Sequence, residues 1–288
     1  MASNTTSNDW SVDDTYNGPR SNNEYNRLRV QHEMVKHAMN GELIWAPVNF
    51  DSTGFEVLDS ATGDGYWLVD AAGTMSPTSK LLGADLAPEH FIEKDSLPKN
   101  VELVTHNILE QWPPAFRNRF DLVHQRFVLM ALNESQAQTA IRNLFKCVKP
   151  GGWIQLHDGD MQTIEDGPAH AAMKKFRTLC LTGWSMMGFS HSPGPSLVSW
   201  MRNIGFIAIE ERIVKIQCGM RSADKTQGER VIQNLQATLD NMTALAQQLP
   251  GFPYSSREII ALKEELAHEL RTVGNEYRTH VVWGQKPA

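Results

Sequence analysis

Val57-Leu58-Asp59-Ser60-Ala61-Thr62-Gly63-Asp64-Gly65-Tyr66-Trp67 reads as a buried strand that runs into a tight turn of small residues and then into a helix. Val57 and Leu58 are strand residues. Ala61, Gly63 and Gly65 carry little or no side chain, so a ligand can approach the backbone closely. The helix that follows offers its free N–H groups to a polar ligand. Twenty residues past Gly65, the apolar run Leu81-Leu82-Gly83-Ala84 ends in Asp85. An acidic residue at that spacing accepts both hydroxyls of a ribose. A small-residue turn after a strand also occurs in sheets that bind nothing. The placement of Asp85 favours a nucleoside-containing cofactor on an α/β sheet.

The turn argues against a dinucleotide. The pattern G-x-G-x-x-G/A would need a third small residue where Leu68 stands. Asp64 would also set a negative charge beside a pyrophosphate. No G-x-x-x-x-G-K-[ST] segment supports phosphoryl transfer. A cofactor without phosphates fits better.

Asp59-Ser60-Ala61-Thr62-Gly63-Asp64-Gly65 resembles the first motif, D-x-G-x-G-x-G, of class I S-adenosylmethionine-dependent methyltransferases. Three further segments follow in order. Residues 82–88 resemble the acidic-loop motif, residues 120–127 the fourth-strand motif, and Val148-Lys149-Pro150-Gly151-Gly152-Trp153 the turn before the fifth strand. Upstream, residues 23–32 and Gly41-Glu42-Leu43-Ile44-Trp45-Ala46-Pro47 resemble the N-terminal signature of the fungal LaeA-like methyltransferases. Within that group the likeness is to enzymes of secondary metabolism, including N-methyltransferases of dioxopiperazine toxins. Two departures stand out. Ala61 replaces the usual first glycine, and Asn107 stands where an acidic residue often meets the adenine amino group. The Asn107 side-chain oxygen can still accept that hydrogen bond.

The resemblance implies a doubly wound, mostly parallel seven-stranded sheet with an N-terminal helix and a helical insertion before the last strand. It implies S-adenosylmethionine as cofactor. Ligands of open α/β sheets bind beyond the carboxyl ends of the strands, where strand order reverses. That brings together Ser60 to Gly65, Asp85, Asn107 and His124 to Arg126. The expected cofactor contacts are Asp59, Ser60, Ala61, Thr62, Gly63 and Gly65 for the methionine part, Asp85 and Leu86 for the ribose, and Asn107 and Ile108 for the adenine. His124 and Gln125 are expected nearest the sulfonium. Arg27 is read either as a partner of the cofactor carboxylate or as a solvated helix charge.

At 288 residues the chain accommodates one α/β domain with additions, over 22–288. Residues 1–21 are polar and read as a disordered tail without a secretory leader; Trp10 and Tyr16 are unusual there. Net charge −6 argues against a strong grip on nucleic acid, and no apolar run reaches membrane-spanning length. Cys147, Cys180 and Cys218 have neither disulfide nor metal-ligand spacing, which fits a reduced, cytoplasmic compartment. The expected partner is a small-molecule acceptor, and the expected state a monomer or homodimer.

Along the chain, a helix is predicted over 22–40 as part of a cap spanning 22–48. Strands are predicted at 55–60, 80–85, 101–106, 119–124, 152–158, 206–217 and 277–284. Helices are predicted at 65–73, 88–95, 134–147, within 160–190, at 195–204 and as a pair within 223–272. The insertion 219–274 reads as a substrate cover, with plain packing or a dimer interface as alternatives. Met173, Met186, Met187, Met201, Trp184 and Trp200 read mainly as core, part of which lines an apolar pocket.

Methyl transfer from a sulfonium asks the protein mainly for orientation and exclusion of water. A base is needed only where the acceptor must lose a proton. The expected base is His157 with Asp158, at the end of the fifth strand, and His32 is the second candidate. A structural role is the alternative for each histidine. His157, Asp158 and Asp160 are too local for a metal site, so no metal is expected. Nitrogen is the expected acceptor atom on the narrower resemblance, with oxygen close behind. A LaeA-like regulator and a cofactor-binding enzyme that does not methylate are the alternatives from other classes.

Overall fold

A computed structural model describes residues 20–288. The tail reading, with Trp10 and Tyr16, falls almost wholly outside the described residues.

Helix α1 (Asn22–Ala38) starts at Ser21, whose hydroxyl accepts the Glu24 amide at 3.2 Å. Gly41 closes it by donating back to the Lys36 carbonyl. The sheet follows, with strands β1 (Glu56–Ser60), β2 (Lys80–Asp85), β3 (Val101–Thr105), β4 (Phe120–Arg126), β5 (Val148–Asp160), β6 (Ile207–Cys218) and β7 (Asn275–Gln285). Their order is β3-β2-β1-β4-β5-β7-β6. β7 runs antiparallel to both of its neighbours, and the other pairs are parallel. Chain direction across the sheet reverses between β1 and β4, so the crevice opens there.

Helices cover both faces. α1, α4 (Ala171–Met186), α6 (Lys225–Gln248) and α7 (Ser256–Thr272) share one core cluster, which includes Val57 of β1. α3 (Glu134–Cys147) and α5 (Leu197–Ile204) share the other, which includes Leu58. Both residues are fully buried, as a parallel strand with two covered faces requires. Each such side chain contributes roughly 1.5–3 kcal/mol by leaving water. α6 and α7 lie between β6 and β7 in the chain, at the predicted insertion.

Two expectations need correction. Residues 88–95 form no α-helix. Short 3-10 turns at Pro88–His90 and Lys94–Ser96 stand there, because the Ile92 amide is drawn back to the Asp64 carbonyl at 3.0 Å. β5 is longer than predicted at both ends. It begins at Val148, before the Pro-Gly-Gly segment, and runs two residues beyond Asp158 alongside β7.

α2 (Tyr66–Ala72) packs over β2 and β3. Gly65 takes φ +93 at its start, and a Cβ there would lie 2.9 Å from the Leu103 side chain. Gly83 on β2 is closed in more tightly: a methyl group in place of its hydrogen would have Leu68, Leu103 and Thr62 within 2.9 Å. Gly83→Ala is expected to lower stability by about 1–3 kcal/mol through overpacking. Thermal unfolding of the purified variant checks this, and an unchanged midpoint would show that the layer beneath the turn yields freely.

Candidate active site

The turn after β1 is held by two carboxylates. Asp59 is buried. Its Oδ2 accepts the Thr62 hydroxyl at 2.6 Å, and its Oδ1 lies 2.7 Å from Nδ1 of His124 on β4. Asp85, at the end of β2, accepts the Gly63 amide at 2.8 Å and the Ala87 amide at 3.2 Å. Burial raises the Asp85 pKa, and the amides of Gly63, Ala87 and Leu86 oppose the rise. Ala61 and Gly63 both take positive φ, +53 and +64, so the chain doubles back tightly. His124 stacks on Trp67 of α2 with ring centroids 3.8 Å apart and planes within 5°.

These groups border a cavity of about 480 Å³, within the usual range for small-ligand sites. Of the residues expected from sequence, Asp59, Ala61, Thr62, Gly63, Asp85 and Leu86 line it. So do Asn107, Ile108, His124, Arg27 and His32. The cavity continues under helices. Met161, Phe176, Trp184 and Met187 form part of that wall, and Leu235, Met242 and Leu245 of α6 form another. Of the Met/Trp group, Trp184 and Met187 face the cavity, Met173, Trp200 and Met201 are core, and Met186 is exposed.

The remaining expected residues are not on the cavity wall. Ser60 and Gln125 bond to each other across β1 and β4 at 3.1 Å, on the opposite side of their strands from Asp59 and His124. Gly65 shapes the turn from below. His157 is buried, with Nε2 2.7 Å from the Thr279 hydroxyl, and it is Thr279 that meets the cavity. Burial and the nearby Arg126 push the His157 pKa well below its usual value. Asp158 is buried and accepts the amides of Leu129 and Gly159, both at 2.9 Å. Burial pushes its pKa up to about 7. These contacts make Asp158 a brace for the chain after β4. The longer β5 is the reason: His157 and Asp158 are paired inside the sheet with Val281 and His280, short of its rim.

His32 reaches the cavity, but both ring nitrogens are engaged. Arg126 can only donate, so the Nδ1 of His32, 3.0 Å away, is the acceptor. Nε2 then carries the proton toward Asp70 at 2.8 Å. Burial and the Arg126 charge lower the His32 pKa, in keeping with a neutral ring. Neither nitrogen is open to take a proton from an acceptor.

Sequence reasoning missed Arg29 and His106 on the wall. Arg29 joins Asp64 at 2.8 Å. His106 precedes Asn107, and burial lowers its pKa to about 4. Among the described residues, the buried Nε2 of His106 and Nε1 of Trp67 have no hydrogen-bond partner. Both atoms are shut off from solvent, the cavity included. Asn107 and Ile108, which line the cavity, suit the polar edge of a base. Asp85 suits a ribose. The residues present therefore fit a nucleoside-linked sulfonium. Among the described residues no cluster of histidine, cysteine, aspartate or glutamate could hold a metal, and no helix is long and apolar enough to cross a membrane.

A methyltransferase domain family matches residues 57–152. N-methyltransferase tcpN of Claviceps purpurea is 36% identical over 281 residues, covering 96% of this chain and 99% of that protein. N-methyltransferase gliN of Aspergillus fumigatus is 31% identical, covering 92% of this chain and 94% of its own. N-methyltransferase verN of Clonostachys rogersoniana is 32% identical, over 95% and 93%. In a solved complex of the Haloferax volcanii Trm112 methyltransferase activator, the matching chain superposes with TM-score 0.52 at 14% identity, covering 94% of this chain and 100% of that one. That likeness is one of fold.

The raised pKa of Asp158 has a consequence for stability. The unfolded carboxyl loses its proton near its ordinary value of 3.8, whereas the folded one keeps it to about 7. Its contribution is therefore fully present below the unfolded pKa and is lost as pH rises toward 7. The stability of wild type relative to Asp158→Asn is expected to fall between pH 4 and pH 7. Denaturant unfolding of both proteins across that range measures it, and a pH-independent difference would refute the assignment.

Proposed function

The chain belongs to the class I S-adenosylmethionine-dependent methyltransferases, in the group of fungal N-methyltransferases, and from this premise we propose that it methylates a nitrogen of a small, largely apolar acceptor in secondary metabolism. The observation that supports the acceptor class is the junction of two surfaces. A polar crevice at the strand ends opens directly onto the apolar wall of α4 and α6.

The cofactor supplies an activated methyl group on a sulfonium. Asp59 and Thr62 fix the turn, and Asp85 and Asn107 offer oxygens at the ribose and adenine positions. Trp67 locks the His124 ring in place. Phe176, Trp184, Met187, Met242 and Leu245 exclude water from the acceptor side. An amine must be neutral to attack, and desolvation in such a wall disfavours its protonated form. An amide-like N–H must also lose its proton. His124 is suited to accept it, because Asp59 holds its Nδ1–H and burial lowers its pKa, leaving a neutral ring. We read the insertion over 219–274 as the acceptor cover. Three buried free thiols support a reducing, cytoplasmic setting.

Titration calorimetry with S-adenosylmethionine, S-adenosylhomocysteine and NAD tests the premise. Binding of the first two with no response to NAD is expected, followed by a mass gain of one methyl when aromatic dioxopiperazines are screened as acceptors. Asp85→Ala should weaken cofactor binding by about 1–3 kcal/mol, as for a lost buried hydrogen-bond partner. An NAD response alone would overturn the reading, and unchanged affinity in Asp85→Ala would remove that residue from the ribose position.

A further inference from the structure

Four arginines line the cavity; Arg20 acts on Asp85, and the other three differ in how their charge is met. Arg27 is held by both carboxylate oxygens of Glu24 and by the Asn234 side chain at 3.0 Å. Arg29 is held by Asp64. Arg126, the last residue of β4, bridges no carboxylate among the described residues. Its single hydrogen-bond partner there is the ring of His32, which is neutral. Arg126 is half-buried and lines the cavity. Burial lowers its pKa to about 10, which still leaves it charged near neutral pH.

A guanidinium has five N–H donors. A half-buried cation with donors to spare is costly unless an anion meets it. The carboxylates nearest Arg126 are bonded elsewhere. Asp59 is engaged by Thr62 and His124, and Asp70 by His32 and Lys36. Both act on Arg126 through space without bonding to it, which leaves its remaining donors for an anionic group of a ligand.

We infer that Arg126 binds the carboxylate of the amino-acid half of the cofactor. This rests on the cofactor assignment above. With the base at Asn107, just beyond β3, and the ribose at Asp85 on β2, the rest of the molecule runs across β1 toward β4, where strand order reverses. β4 lies two strand spacings from β2, about 10 Å, on the order of the length of a ribose with its attached methionine chain. Arg27, the residue expected from sequence to meet that carboxylate, is already neutralised by Glu24. A planar guanidinium also matches a carboxylate with two parallel hydrogen bonds.

Two probes separate the halves of the ligand: S-adenosylhomocysteine, and 5′-methylthioadenosine, which keeps the nucleoside and sulfur but has no amino-acid group. Calorimetry is run on wild type, Arg126→Gln and Arg126→Lys. Arg126→Gln should lose about 10- to 100-fold in affinity for S-adenosylhomocysteine, as for a charge-assisted hydrogen bond, and bind 5′-methylthioadenosine as wild type does. Arg126→Lys should lose less, again only for the carboxylate-bearing probe. If the Gln variant fails to fold, the Lys variant decides by the same comparison. Equal affinity for S-adenosylhomocysteine in variant and wild type, or equal weakening of both probes, overturns the role of Arg126. A wild-type protein that binds neither probe overturns the cofactor assignment itself, and this inference with it.

Discussion

Asp59 and Asp85 together decide the shape of the β1–α2 turn, and the rest of the site is arranged around that turn. A buried carboxylate is tolerated only when its oxygens are satisfied. Asp59 meets this by bonding once within the turn, to Thr62, and once across to β4, at His124. Asp85 does so by taking the Gly63 amide and the amide of Ala87 just beyond β2. Three strands are thereby tied to one loop of small residues. The positive φ of Ala61 persists because these bonds hold it there, although an alanine at φ +53 carries strain that a glycine would not. With the turn fixed, the His124 ring is fixed too, and the small side chains leave room at the point where the polar crevice meets the apolar wall.

The strands of the parallel sheet are legible in the sequence because each is a short apolar run ended by a polar residue. β2 falls on its predicted bounds, and β1 and β3 within a residue of theirs. The faces of those strands are less legible. Where both faces are buried, apolar runs do not show which side opens on the crevice. The sequence groups Ser60 and Gln125 with their neighbours for that reason, and the alternation of strand side chains sends them the other way. For His157 and Asp158 the obstacle is length. A strand end predicted at 158 would put them on the rim, but pairing with β7 carries β5 further.

The pairing of α6 with α1 at the cavity wall is not legible in the sequence. Glu24 meets Asn241 across 217 positions, and Arg27 meets Asn234 across 207. Nothing local in either helix signals such a pairing, since polar residues on a helix read equally well as a solvated face. The commitment of Arg27 to Glu24 is likewise hidden, although the two are three residues apart on α1. At that spacing an ion pair is common and usually superficial. Here Asn241 and Asn234 of α6 close over it.

The placement of α6 and α7 between the last two strands gives the protein two independent coding regions for one cavity. The groups suited to the nucleoside come from the first half of the chain, through Arg126. Much of the apolar wall comes from a stretch that contributes no strand to the sheet. Substitutions on the inner face of α6, at Leu235, Met242 or Leu245, change the outline offered to an acceptor while leaving the β1–α2 turn and the strand ends as they are. On the proposed reading, the acceptor side of the cavity varies with a single helix while the nucleoside side stays fixed.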